Sequence, residues 1–133
     1  MDSVLATVSV DLEERAEAEL GELMQALPGL SAAVIATTDG FEVAASARHG
    51  VEVAKLAAMA CSISALGSVV GDEGGVGAYQ NVIIEAEEGC IVIVDVPHQK
   101  VPLILSLVCG RDQTLGQVIY MAKRTASRIA EIY

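Results

Sequence analysis

Between Tyr79 and Val108, three apolar runs are separated by loops too short for anything but a reversal of the chain. Tyr79 to Ala86 leads through Glu87-Glu88-Gly89 into Cys90 to Val96, and Pro97-His98-Gln99-Lys100 leads on to Val101 through Val108. Strands joined so closely must lie antiparallel, because a parallel crossover needs about a dozen residues or more. An antiparallel sheet is therefore the frame on which the rest of the chain must be placed. Leu30 to Thr37 and Phe41 to Ser46 make another reversal through Thr38-Asp39-Gly40, where Asp-Gly accepts the positive φ of a tight turn. Gly110 ends the last run.

Helical periodicity fills the remainder. Asp11 reads as an N-cap, followed by acids in the first turn, where the helix dipole favours them. Leu12, Ala16, Leu20, Leu23, Met24 and Leu27 then recur at helical spacing until Pro28-Gly29 stops the helix. A second helix, Glu52 to Val70, is apolar or small on nearly every side, which calls for cover on more than one face. Gly71-Asp72-Glu73-Gly74-Gly75-Val76-Gly77 reads as a flexible acidic tether. From an N-cap at Thr114, a third helix carries Leu115, Val118, Ile119, Ala122, Ala126, Ile129 and Ile132 along one side. The order α-β-β-α-β-β-β-α, with helices on both faces of the strands, predicts an α/β fold of the α+β three-layer sandwich type. A length of 133 residues suits one domain, placed at 11–133. Residues 1–10 read as an N-terminal tail, although the alternation of Val4, Ala6, Val8 and Val10 keeps an extra edge strand open.

Composition removes several classes of function. With 53% hydrophobic and 20% charged residues the chain is not a disordered segment. Aromatics amount to 3% and tryptophan is absent, which argues against stacking platforms for single-stranded nucleic acid. A net charge of −10 repels phosphate backbones and anionic lipid, so no nucleic acid partner is expected. Val53 to Val70 is interrupted by Lys55 and by Ser and Gly, and reads as a buried helix with no membrane insertion. The first residues lack a basic, apolar leader, and Cys61, Cys90 and Cys109 sit in apolar runs as small hydrophobes of a reducing compartment. A cytoplasmic location is expected.

Catalytic signatures are weak. The 2 histidines, His49 and His98, fall in predicted loops and read as solvent-exposed bystanders. No Cys or His pair stands at zinc-ligand spacing, so neither a metal nor another cofactor is expected. The glycine run at 71–77 lacks the Gly-Lys-Ser/Thr end of a phosphate loop, and Asp72 and Glu73 would repel phosphate. Asp39 reads as a turn residue, and no Gly-x-Ser-x-Gly elbow occurs. The expectation is a protein that is not an enzyme.

Interaction surfaces are better marked. On the second helix Leu56, Ala60, Ile63, Gly67 and Val70 share one face, while Met59, Leu66 and Val69 spread toward another. Small residues (Ala57, Ala58, Ala60, Ser62, Ser64, Gly67) would allow a second helix to approach closely; burial of the whole helix within one domain is the other option. Charge is divided along the chain. Asp2, Asp11, Glu13, Glu14, Glu17, Glu19 and Glu22 face only Arg15 in the first 27 residues, whereas Lys123, Arg124 and Arg128 gather near the end. Those bases oppose either the acidic first helix or an acidic partner.

Four segments, in order over residues 12–130, carry a resemblance. They are Leu27-Pro28-Gly29-Leu30 leading into Ala33-Val34-Ile35-Ala36-Thr37-Thr38-Asp39-Gly40-Phe41; the Ala- and Ser-rich second helix; Asn81-Val82-Ile83-Ile84-Glu85 before Gly89-Cys90-Ile91-Val92-Ile93-Val94; and Leu115-Gly116. Together they resemble the Roadblock (dynein light-chain) family of small homodimerising proteins, including bacterial members encoded near Ras-like GTPases. The acidic first helix and the 71–77 loop depart from the family pattern. The resemblance implies a five-stranded antiparallel sheet of order 2-1-5-4-3, profilin-like, with one helix on one face and two on the other. It also implies a homodimer joined along the edge strand Gln80 to Ala86 with the second helices packed together. Leu56, Met59, Ala60, Ile63, Gly67, Gln80, Val82 and Ile84 would form that interface. The implied partner is a small Ras-like GTPase, regulated or scaffolded by the dimer, with Arg48 and Arg111 as loop arginines able to reach its nucleotide. A nucleotide-indifferent assembly scaffold and a small-molecule sensor domain are the alternatives.

Overall fold

The computed structural model describes residues 8–48 and 50–132. The elements are α1 (Val10–Ala26), β1 (Leu30–Thr37), β2 (Glu42–Ala47), α2 (Val53–Glu73), β3 (Asn81–Ala86), β4 (Gly89–Val96), β5 (Leu103–Gly110) and α3 (Leu115–Ala130). The strands form one five-stranded sheet in the order β2-β1-β5-β4-β3, and every neighbouring pair is antiparallel. The element order, strand order and layers are those implied above.

Strand alternation divides the core between two faces. Leu103, Leu105 and Leu107 of β5, with Val92 and Val94 of β4, meet Leu12, Ala16, Leu20 and Leu23 of α1 and Val118, Ala122 and Ile129 of α3. On the opposite face the residues between them, Ile93 and Ile104, meet Ala60 of α2, and Val34 and Ala36 of β1 meet Leu56 and Ala57. One face thus holds a deep core of large side chains under two helices. The other holds a thin layer in which alanines of α2 lie directly on the sheet. Arg128 of α3 ties the two helices of the first face together, its guanidinium 3.2 Å from Glu19 and 3.6 Å from Glu22 of α1. This basic residue therefore faces the acidic helix of its own chain.

Several boundaries shift for local reasons. The N-cap of α1 is Ser9, whose hydroxyl accepts from the Leu12 N–H at 3.0 Å, rather than Asp11. α2 runs on through Gly71-Asp72-Glu73 instead of ending at Val70. Gly71 makes this possible: a Cβ there would lie 2.0 Å from the Gly77 carbonyl oxygen, so the returning loop packs directly on the helix backbone. β5 starts at Leu103, after Pro102, which has no N–H for a ladder. Residues 1–7 of the expected tail, and His49, lie outside the described residues.

His98 is not the exposed bystander expected from its loop position. It is 7% exposed, and its ring closes the β4–β5 connection onto the end of α3. Nδ1 accepts from the Lys100 and Val101 N–H groups at 3.1 and 3.2 Å, which leaves Nε2 to donate to the Ile132 carbonyl at 2.6 Å. A predicted loop says nothing about whether a later segment will fold over it; here the segment at Ile132 does. Replacing His98 by Ala strands the buried Val101 N–H and the Ile132 carbonyl, and is expected to cost about 2–3 kcal/mol in urea unfolding. An unchanged midpoint would contradict this role.

Candidate interaction surface on α2 and β3

α2 presents to solvent the residues its small inner face leaves over. Met59, Leu66, Val69 and Val70 are between 56% and 67% exposed. Ala58, Ser62 and Ala65 are exposed between them, and no charged residue interrupts the helix from Lys55 to Asp72. By length and composition this helix is apolar enough to cross a membrane, but its inner side is docked on the sheet through Leu56, Ala57, Ala60 and Ser64. A contiguous apolar face of this kind on a folded domain marks a contact surface.

β3 continues that surface to the edge of the sheet. Val82 lies against the helix near Gly67, where a Cβ would come within 3.3 Å of the valine methyl, and Ile84 is exposed further along the strand. As an edge, β3 turns alternate backbone N–H and C=O groups away from β4. The other edge strand, β2, lies against α1.

The residues named from sequence divide on this geometry. Met59, Gln80 and Ile84 are exposed, and Ile63, Gly67 and Val82 are half-buried along the seam between α2 and β3. Leu56 and Ala60 are corrected: both are buried within the monomer, against β1 and against Ile93 and Ile104 respectively. Helical spacing alone could not tell which side the sheet takes. Leu66, Val69 and Val70, absent from the expected interface set, are the residues that replace them; the uncharged stretch Leu56 to Gly71 is the signal available in the sequence.

The two arginines also part company. Arg48 donates to the Pro28 carbonyl and, at 3.4 Å, to the Met24 carbonyl, so it caps the C-terminal end of α1, where a cation suits the helix dipole. Its guanidinium is committed to the fold. Arg111 is exposed beside a cavity of about 320 Å³ lined by Glu85, Glu87, Cys90, Gln113 and Leu115. Asp39 is held in its turn, accepting from the Thr37 hydroxyl at 2.6 Å. Among the described residues no three His, Cys, Asp or Glu side chains converge in a way that could hold a metal ion.

Beneath α2, a cavity of about 260 Å³ contains the main polar cluster of this face. The Ser64 and Tyr79 hydroxyls are 2.6 Å apart, and Asp95 of β4 lines the same space. Burial raises the Asp95 carboxyl above its ordinary value; burial likewise raises the Tyr79 phenol, against the Ser64 hydrogen bond. Because the folded chain holds the Asp95 proton more tightly than the unfolded chain, that residue favours folding at low pH. The benefit is lost as pH rises from the unfolded carboxylate value through the raised one. Asp95→Asn is therefore expected to gain stability over the parent near about pH 7, the difference closing toward about pH 4 in parallel urea titrations. A loss at neutral pH would show that the carboxylate is needed in its charged form.

No protein-family model matches the sequence, and no curated protein matches it. Solved structures do. MglB in a tetrameric arrangement superimposes with a TM-score of 0.83 at 21% identity, over 93% of this chain and 91% of that one. The gliding protein MglB of Thermus thermophilus gives 0.79 at 21% identity, over 94% and 95%. A Roadblock/LC7 domain from Streptomyces avermitilis gives 0.75 at 18% identity, over 85% and 92%. With its helix order, sheet order and layers matched over nearly the whole length, the chain has the fold of the Roadblock/LC7 domains and of MglB.

Proposed function

We propose that this chain is a homodimeric, non-catalytic Roadblock-type module of the cytoplasm that binds a small Ras-like GTPase. The observation that carries the reading is the uncharged outer face of α2 running into the β3 edge. A second copy related by a two-fold would extend the sheet through β3 and cover one α2 with the other, since a two-fold interface is self-complementary. Met59, Leu66, Val69 and Ile84 would lie at its centre, with Gly67, Val82 and Gln80 alongside. The dimer would need no membrane and no nucleic acid to complete it. A GTPase would be controlled through differential affinity: a dimer that prefers one nucleotide state shifts the GTPase population toward that state. Arg111, exposed on a loop, is the arginine available for such a contact, whereas Arg48 serves the fold.

Sedimentation equilibrium at micromolar concentration is expected to give twice the 13.8 kDa chain mass. Leu66→Lys, at a site already exposed and so tolerant of charge in the monomer, should weaken association by about 100-fold or more. A parent mass that stays at 13.8 kDa removes the dimer.

For the partner, tagged protein incubated with lysate in GDP or in a non-hydrolysable GTP analogue should enrich a Ras-like GTPase in one of the two conditions. Arg111→Ala should diminish that enrichment, while Arg48→Ala should cost about 1 kcal/mol of stability without changing nucleotide preference. A partner recovered equally in both conditions, or no GTPase at all, would place the assembly-scaffold reading ahead.

A further inference from the structure

β4 and β5 bring two cysteines face to face. Cys90 and Cys109 are direct partners in the antiparallel register, so their side chains leave the sheet on the same side. Their sulfurs are 2.8 Å apart, and the Cys109 thiol lies 3.4 Å from the Cys90 carbonyl. A disulfide needs about 2.05 Å between sulfurs, so these register partners have less than about 1 Å left to close. The sequence separation of 19 residues gives no hint of the pairing, which register alone creates.

The two thiols are not equivalent. Cys109 is 2% exposed, and burial pushes its thiol up to about 12. Cys90 is half-buried and lines the cavity beside Arg111 and Leu115, so a small reagent can reach it from solvent. The third cysteine, Cys61, lies on the other side of the sheet, where its thiol donates to the Thr38 carbonyl of the β1–β2 turn.

We propose that Cys90 and Cys109 form a redox-active dithiol that a small disulfide of the glutathione type converts to a cross-strand disulfide. In the first step the Cys90 sulfur attacks the S–S bond of the oxidant. A mixed disulfide forms, the original bond breaks, and one thiol leaves carrying the proton. In the second step the Cys109 sulfur attacks the Cys90 sulfur, the Cys90–Cys109 bond forms, and the second thiol leaves with the remaining proton. The protein loses two protons and two electrons, two hydrogen atoms in all, and the oxidant is reduced to two thiols. Cys90 is the entry point because it is reachable, and Cys109 resolves because it lies opposite. The product would bolt β4 to β5 beside the β3 edge.

The test treats the full chain, in a Cys61→Ser background, with oxidised glutathione, and reads intact mass and the thiols left for maleimide after denaturation. The expected product is a single, uncrosslinked chain mass that has lost two hydrogens, retains no labelled thiol, and is restored by dithiothreitol. Cys109→Ala should stop at a stable glutathione adduct on Cys90. Cys90→Ala should remain unmodified, since Cys109 is buried. Circular dichroism of each variant establishes that it is folded, and the folded Cys61→Ser parent carries the decision by itself if a variant is not. Two free thiols persisting in that parent would overturn the proposal. So would an adduct that never resolves, or a disulfide between chains.

Discussion

α2 is 21 residues long and uncharged between Lys55 and Asp72, and a sheet can cover only one side of it. The sheet takes the side with Leu56, Ala57 and Ala60, where small residues permit close approach. Met59, Leu66, Val69 and Val70 are left outside. Covering an already part-buried side chain of this size contributes about 1–2 kcal/mol, so the eight in a symmetric pair would give about 8–16 kcal/mol. Association itself costs about 4–15 kcal/mol. The helix face alone therefore comes close to breaking even, and the edge of β3 is what would add directional hydrogen bonds and fix the register.

The two faces of the sheet make this division of labour possible. α1 and α3 bury large leucines and isoleucines in a core that accounts for most of the fold's apolar burial. Arg48 on the end of α1, Arg128 between α1 and α3, and His98 under the last turn of α3 secure that side with polar contacts. The stability of the monomer thus resides mainly on the face away from α2. The face that carries α2 is free to be optimised for contact. Its polar cavity around Ser64, Tyr79 and Asp95 adds a pH-sensitive element beneath the same helix.

Much of this was legible in the sequence, and the parts that were not share a cause. Short polar connections at Asp39-Gly40, Glu88-Gly89 and Pro97–Lys100 define the strands, and the apolar spacing of α1 and α3 defines their buried sides. The strand order came from likeness to a family rather than from the residues. Hidden from local reasoning were the contacts made by distant segments. Gly71 continues α2 because Gly77 returns onto it, Arg48 caps a helix that ended some 20 residues earlier, and His98 is buried by residues near position 132. For the candidate surface, the apolar excess of α2 was evident, but which of its sides met the sheet was not. Spacing alone assigns Leu56 and Ala60 to the outer face, whereas the sheet buries both.

Hydrogen exchange along β3 separates a free sheet edge from a paired one. An edge strand exposes the outward half of its amides to water, whereas a strand inside a continuous sheet protects nearly all of them. If β3 pairs with a second copy, the amides of Asn81 through Ala86 are protected at high micromolar concentration, and the outward set loses protection on dilution in step with the exposed face of α2. Outward β3 amides that exchange at the solvent rate at every concentration, while β4 and β5 stay protected, would contradict that pairing.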